Sequence, residues 1–395
     1  MEIIKIIVPM IGFALLIVYR IYNKQNNPIV LIIIFQFIMF SANFAFIFRE
    51  LNKILLFLIT FIFLFTVARE KRLFFPYYLG FMVVYIFFII LSWVTNLYEL
   101  KRHDLIIKAF INILSIFATN VVLFNHIKTK KQLIEMLDFL SKLGFLLAVF
   151  SIIEYSLLHT RTEVTFANPN YLAYVLTITF IYYLNFPKRF KFIILPVVLL
   201  GILFTGSRIA FAISGFAIFV SFLKLDISFL KKISILLVSA ISLIFIISFT
   251  SKFRPNTKSS DIARIGIMYV SKNIILNKPI FGIGYSQFRI RYKEYLLSNM
   301  YHAMKHLYFR KEVVTHNDYL RIVDELGIPA LLFMLLILFS AMYILNKRDK
   351  DEFVLFLYVL SNMLFSATHN NMNSLLFWFF TLLPFHYKYL GFDKQ

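Results

Sequence analysis

Apolar residues gather into long blocks separated by short polar punctuation. Blocks able to cross a bilayer lie at 3–22, 28–48, 53–68, 76–95, 105–124, 142–158, 171–186, 190–205, 209–223, 233–250, 327–346, 353–368 and 374–391. About 20 apolar residues in a helix complete a crossing, and several blocks are shorter than that. The pattern predicts an all-α polytopic membrane protein with about 12 to 13 transmembrane helices. Pro28, Pro76, Pro169, Pro187 and Pro329 fall near block ends, where a missing N–H is tolerated. No Gly/Ser linker, low-complexity tract or internal repeat interrupts the series, so residues 1–395 read as a single integral membrane domain. The one long polar interval, 251–326, predicts a partly helical loop within it.

Composition agrees. The 395 residues are 60% hydrophobic with 49 Phe, whereas soluble domains are nearer half apolar. A net charge of +21 would suggest nucleic acid in a soluble protein. Here the basic residues stand in short loops and form no basic helix or aromatic platform, so the expected partner is the lipid bilayer and no nucleic acid. Cysteine is absent, which excludes disulfides and thiolate metal sites. The first block, Ile3–Tyr22, has no small-residue cleavage site and reads as a retained helix.

Lys and Arg set the orientation. Alternate short loops carry Arg20 and Lys24; Arg69, Lys71 and Arg72; Lys128, Lys130, Lys131 and Lys142; Lys188, Arg189 and Lys191; Lys224, Lys231 and Lys232; Lys347, Arg348 and Lys350. The other loops carry only Arg49, Lys53, Lys101, Arg102, Arg161 and Arg208. A bias of about threefold makes the first set cytoplasmic. The 251–326 loop then lies outside, with the turns at 159–170, 205–208 and 369–373.

The outward polar residues are where chemistry is sought. Thr315 followed by Asp318 before an apolar run reads as a capping box, which puts His316 in the first turn of a helix. Its dipole end favours a neutral imidazole and a nearby anion, although a histidine at a helix start is most often ordinary surface. Asn168 reads as an N-cap with Pro169 at the first helical position. In Thr205-Gly206-Ser207-Arg208, Gly206 supplies a tight turn and Ser207 a cap, and neither requires an arginine. Arg208 either snorkels to headgroups or binds phosphate in a bidentate fork. A helix starts near Ser259–Ser260, with Asp261 and Arg264 as neighbours and Ser271 and Lys272 extending the polar face; a surface ion pair is the alternative reading. Residues 278–285 read as a turn whose Gly-x-Gly is no nucleotide loop, and Phe288–Lys311 as a basic aromatic segment suited to a headgroup layer. The outward histidines His302, His306, His316 and His369 have no metal-binding spacing, and Asp349–Glu352 reads as a solvated cytoplasmic turn. No metal and no cofactor are expected.

These motifs, taken in order, resemble a known family. Phe-x-Asn-Pro-Asn at 166–170, Thr-Gly-Ser-Arg at 205–208, Asp-x-x-Arg at 261–264, Pro-Ile-Phe-Gly-Ile-Gly at 279–284, His-Asn-Asp-Tyr-Leu at 316–320 and Glu-Leu-Gly-Ile at 325–328 are similar to the O-antigen ligase and polymerase superfamily of bacterial envelope glycan assembly. The resemblance covers roughly 160–373. It implies a fold like that of the C-type membrane glycosyltransferases, a multi-pass protein of the bacterial inner membrane, and an extracytoplasmic loop forming part of the active site. It implies a polyprenyl-pyrophosphate-linked glycan as donor, His316 as the catalytic histidine, and Arg208 and Arg264 as pyrophosphate-binding arginines. Asn317 and Asn170, inside the same motifs, join them as substrate-binding candidates, and His369 follows from the looser match at 368–373. A chain-length regulator and a flippase are the implied protein partners.

The implied reaction is a metal-independent displacement with inversion, in which two arginines stabilise the departing diphosphate and His316 takes the acceptor proton. Polymerase action, onto another lipid-linked repeat unit, is the leading expectation. Ligation onto lipid A core or another acceptor is the alternative. A lipid-linked glycan transporter is a third, disfavoured because the blocks are nearly charge-free apart from Glu154.

Overall fold

The computed structural model describes residues 65, 75–164, 168–186, 190–223, 257–296, 313–346, 349–370 and 372–392. The blocks predicted at 3–22, 28–48 and 233–250, and all of 53–68 but Phe65, lie outside them, as do His302 and His306. All regular structure among the described residues is helical. A 3₁₀ turn at Tyr77–Leu79 leads into α1 (Gly80–Thr95), followed by α2 (His103–His126), α3 (Lys130–Leu158), α4 (Pro169–Asn185), α5 (Lys191–Thr205) and α6 (Arg208–Leu223). The polar interval supplies α7 (Thr257–Asn277), α8 (Phe288–Arg291), a 3₁₀ turn at Tyr292–Tyr295 and α9 (Asp318–Leu326). The chain continues with α10 (Ile328–Tyr343), α11 (Lys350–Ser366) and α12 (Leu375–Phe392).

Segments Tyr77–Thr95, His103–His126 and Lys130–Leu158 are long and apolar enough to cross a membrane. Several of the other apolar helices are shorter: α5 has 15 residues and α4 has 17. At 1.5 Å per residue these reach about 22–26 Å, a little less than a bilayer core of about 30 Å. α3 exceeds its prediction for a local reason. Thr129 and Gln132 close a capping box, with Gln132 N donating to Thr129 Oγ1 at 3.2 Å, so the polar stretch 130–141, predicted as loop, forms the first turns of a 29-residue helix.

α4 lies at the centre, packed on α3, α5, α6 and α11, and most of its residues are buried. Small residues allow close approach. A Cβ on Gly144 of α3 would fall 1.8 Å from Thr179 Oγ1 of α4, and one on Gly201 of α5 would fall 3.0 Å from Ala148. α10 shows the other side of the pattern. Ala330, Met334, Ile337 and Leu338 are buried, while Leu332, Leu336 and Phe339 are exposed, as suits a helix with one face to protein and one to lipid.

Loops that the Lys/Arg count assigned to one side meet at one end of the bundle. At one end Lys130 lies over the Tyr387 ring at 4.1 Å and Lys350 over Phe186 at 5.5 Å, while His386 Nε2 donates to the Ile127 carbonyl at 2.7 Å. Asp349–Glu352 is more than a solvated turn there. Asp349 caps α11 by accepting from Glu352 N at 3.0 Å, and the buried Glu352 pairs with Lys388 at 2.6 Å. The opposite end gathers the turns at 159–164 and 205–207 with the 369–373 loop and the polar interval.

That interval is docked by backbone. Ile283 N donates to Asp324 O at 2.8 Å and Ile328 N to Pro279 O at 2.8 Å. The approach requires glycine at Gly327, where φ is +91° and a Cβ would lie 2.0 Å from Ile280 O. Arg291, 4% exposed, donates to Glu294, to Ile283 O and to Glu99 at 2.9, 2.9 and 3.1 Å. Phe288 and Tyr292 pack with Ile267, Val270, Ile274, Ile283 and Val313 in a small separate core. The start of the predicted headgroup segment is thus buried in protein, because its aromatic residues have an apolar face of α7 to cover; 297–312 lie outside the described residues.

Candidate functional site

The helix carrying the histidine motif begins two residues later than predicted. Asn317 is the N-cap of α9, its Oδ1 accepting from Leu320 N at 3.1 Å. Thr315, predicted to cap, is buried and donates from Oγ1 to Asn370 Oδ1 at 3.3 Å. His316 therefore sits just before the helix, not in its first turn, exposed and in the left-handed region at φ +52°. A non-glycine residue there is uncommon and strained by a small amount. Its position is fixed from both sides, by the Thr315 tether and the Asn317 cap.

Asn370 is the meeting point. Besides Thr315, it receives Tyr171 OH on its backbone carbonyl at 2.6 Å, which joins the start of α4 to the same loop. Asn168 caps α4 as predicted, accepting from Asn170 N at 2.8 Å with Pro169 in the first turn. Asn170 Oδ1 is a buried acceptor with no hydrogen bond among the described residues. His369 is buried, with Nδ1 2.7 Å from Thr368 Oγ1. The structure thus brings Asn170, Thr315–His316 and His369–Asn370 to one place.

Below this loop lies a buried ionic group on α9. Asp318, fully buried, accepts from Met372 N at 2.8 Å and pairs with Arg321 at 2.8 Å. Arg321 also donates to Asn373 Oδ1 at 3.3 Å, which Tyr285 OH reaches at 2.8 Å. Burial acts to lower the Arg321 pKa, but Asp318 and the neighbouring acidic groups outweigh it and hold the guanidinium charged. One turn on, Asp324 accepts from Ser271 Oγ of α7 at 2.6 Å, while its Oδ1 has no hydrogen bond among the described residues. Burial pushes the Asp324 carboxyl up to about 8 and that of Glu325 up to about 7. Ser271 is thus buried against α9, whereas Lys272, predicted on the same polar face, is exposed.

Arg264 stands two turns before Ser271 on the same face of α7 and is half-buried. Its predicted neighbour Asp261 has a side chain outside the description. Arg208, also half-buried, is the first residue of α6. Neither arginine makes an ion pair or hydrogen bond among the described residues, and no such bond links either to His316. Gly206 supplies the turn before Arg208 as predicted, at φ +64°. Ser207 does not cap: its hydroxyl is buried without a hydrogen bond among the described residues. Over this turn lies Arg161, which composition placed only among the few outward charges. Its Nε donates to Thr205 O at 2.8 Å, and its Nη2 is buried with no hydrogen bond among the described residues. Among the described residues, no three His, Asp or Glu side chains gather as a ligand set.

Residues 139–335 match the family model described as O-antigen ligase, a match spanning about half of the chain. No curated protein matches the chain.

Proposed function

Since the chain belongs to the O-antigen ligase and polymerase superfamily of bacterial membrane proteins, we propose that it is a glycan polymerase using a polyprenyl-diphosphate donor at the extracytoplasmic face of the inner membrane. The observation that carries this reading is the convergence of Thr315–His316, His369 and the start of α4 on Asn370, at the bundle end poor in topological lysines. In the reaction an acceptor hydroxyl oxygen bonds to the donor's anomeric carbon as the C1–O bond to phosphate breaks. The diphosphate leaves with the bonding electrons, and His316 accepts the hydroxyl proton. Arg208 and Arg264, which make no ion pair or hydrogen bond among the described residues, are suited to neutralise the departing diphosphate in bidentate fashion. Asn170, Asn317 and His369 line the acceptor side. A flippase supplies the donor and a chain-length regulator governs release.

The family description favours ligase as the second reading. Purified protein given only lipid-linked repeat units should produce a ladder of lengths; a single transfer that requires a different acceptor would establish a ligase. His316→Gln, which hydrogen-bonds but takes up no proton, should lose about 10²–10⁴-fold in turnover with donor binding retained. Turnover near the wild-type rate would remove His316 from catalysis.

A further inference from the structure

The turn at 205–208 holds more polar capacity than its fold requires. Arg161 straps the loop after α3 to the end of α5 through one donor, Nε to Thr205 O at 2.8 Å, beside the Thr162 N to Phe204 O bond at 3.1 Å. A strap needs that one bond. The guanidinium leaves Nη2 buried without a hydrogen bond, and Arg161 forms no ion pair among the described residues. Glu163 is the carboxylate whose charge is felt there, opposing the drop in pKa that burial causes. A half-buried cation left in this state is costly unless an anion joins it.

Ser207 makes a second, independent case. It is 1% exposed, and its hydroxyl has no hydrogen bond among the described residues. It stands at the N-cap position of the 16-residue helix α6, since Phe211 N donates to its carbonyl at 3.3 Å. Serine there normally satisfies a first-turn N–H, and here it does not. The helix start therefore keeps its donors and its positive dipole end, followed at once by Arg208, which makes no ion pair among the described residues. Glycine at 206 makes room: a Cβ there would sit 3.0 Å from Arg161 Nε.

We propose that Arg161 and Ser207 form, with Arg208, a phosphate pocket that takes one phosphate of the polyprenyl diphosphate. The proposal deepens the transfer reading above and rests on it. Arg161 is in this view a substrate-binding residue as well as a strap, and Ser207 donates to a phosphate oxygen.

The test is binding, read separately from turnover. Full-length protein in phosphatidylcholine nanodiscs is titrated with undecaprenyl diphosphate and with phosphatidylglycerol. Arg161→Gln keeps an amide donor for the Thr205 carbonyl but removes the charge and the free fork. It should weaken undecaprenyl diphosphate binding by roughly 10- to 100-fold, the worth of a charge-assisted hydrogen bond, with an unchanged elution profile. Ser207→Ala, a small change that is safe for folding, should weaken it by about 2- to 10-fold. Unchanged affinity in Ser207→Ala and in folded Arg161→Gln would overturn the pocket while leaving the transfer reading intact. Equal losses for phosphatidylglycerol would overturn the diphosphate assignment in favour of a headgroup site. Arg161-dependent diphosphate binding without any glycan transfer would support the pocket and sink the polymerase reading.

Discussion

The Asp318–Arg321 pair permits the most demanding test of how the site is held. Asp318 is fully buried and Arg321 is 8% exposed, with 2.8 Å between them. In Asp318→Asn the new Oδ1 can still accept from Met372 N, so the shape survives and only the counter-charge goes. Stranding one partner of a buried pair costs about 3–5 kcal/mol. Glu325 also feels Arg321 and partly compensates, which places the expectation near about 3 kcal/mol. Arg321→Met in the same background removes the stranded cation, so the double variant should recover to within about 1–2 kcal/mol of wild type.

Trp378 reports on the same loop, because its Nε1 donates to Met372 O at 3.0 Å. With Trp93→Phe as background it is the remaining tryptophan of two. Asp318→Asn should shift its emission to the red, and the double variant should shift it back. Stability would be measured by reversible detergent unfolding. A cost under about 1 kcal/mol with unshifted emission, or a double variant worse than the single, would refute the idea that this pair anchors Met372 and Asn373.

Two further expectations follow from charge. Asp324 and Glu325 carry folded pKa values of about 8 and about 7, above ordinary carboxylates, so the folded chain holds protons that the unfolded chain has lost. Stability should fall as pH rises from about 5 to about 8, and Asp324→Asn should flatten most of the slope; a thermal midpoint that climbs over this window would contradict it. For orientation, Lys293→Cys and Lys131→Cys in this cysteine-free chain should label and not label, respectively, with an impermeant thiol reagent on intact cells, and the reverse pattern would invert the proposed topology.

The helical blocks were legible because lipid imposes a simple demand: every backbone group bonds within its own segment, so apolar length marks the spans. α4, α5 and α6 start and end within two residues of their predicted blocks. Helix starts at the polar end were less legible. Thr315 and Asn317 are both good capping residues, and local sequence cannot rank them. Asn370, distant in sequence, takes the threonine and leaves the cap to asparagine. Likewise Gly282, Gly284 and Gly327 announce turns, yet only the folded chain shows that they let 279–284 lie against 324–328.

The pocket proposed around Arg161 illustrates why site residues are hard to recognise from a single sequence. As a charge in a short outward loop it looks like any residue left over from topology, and its strap to Thr205 gives it a sufficient structural reason to exist. A binding group must be held still, so its structural bonds and its functional donors share one side chain. Asn170 follows the same logic, with its backbone N–H engaged by Asn168 and its Oδ1 left over. His316 is held still in another way, through its neighbours on both sides. In a membrane chain, where apolar residues face lipid and protein alike, these leftover polar atoms say more about function than burial does. They become visible only when every other hydrogen bond has been assigned.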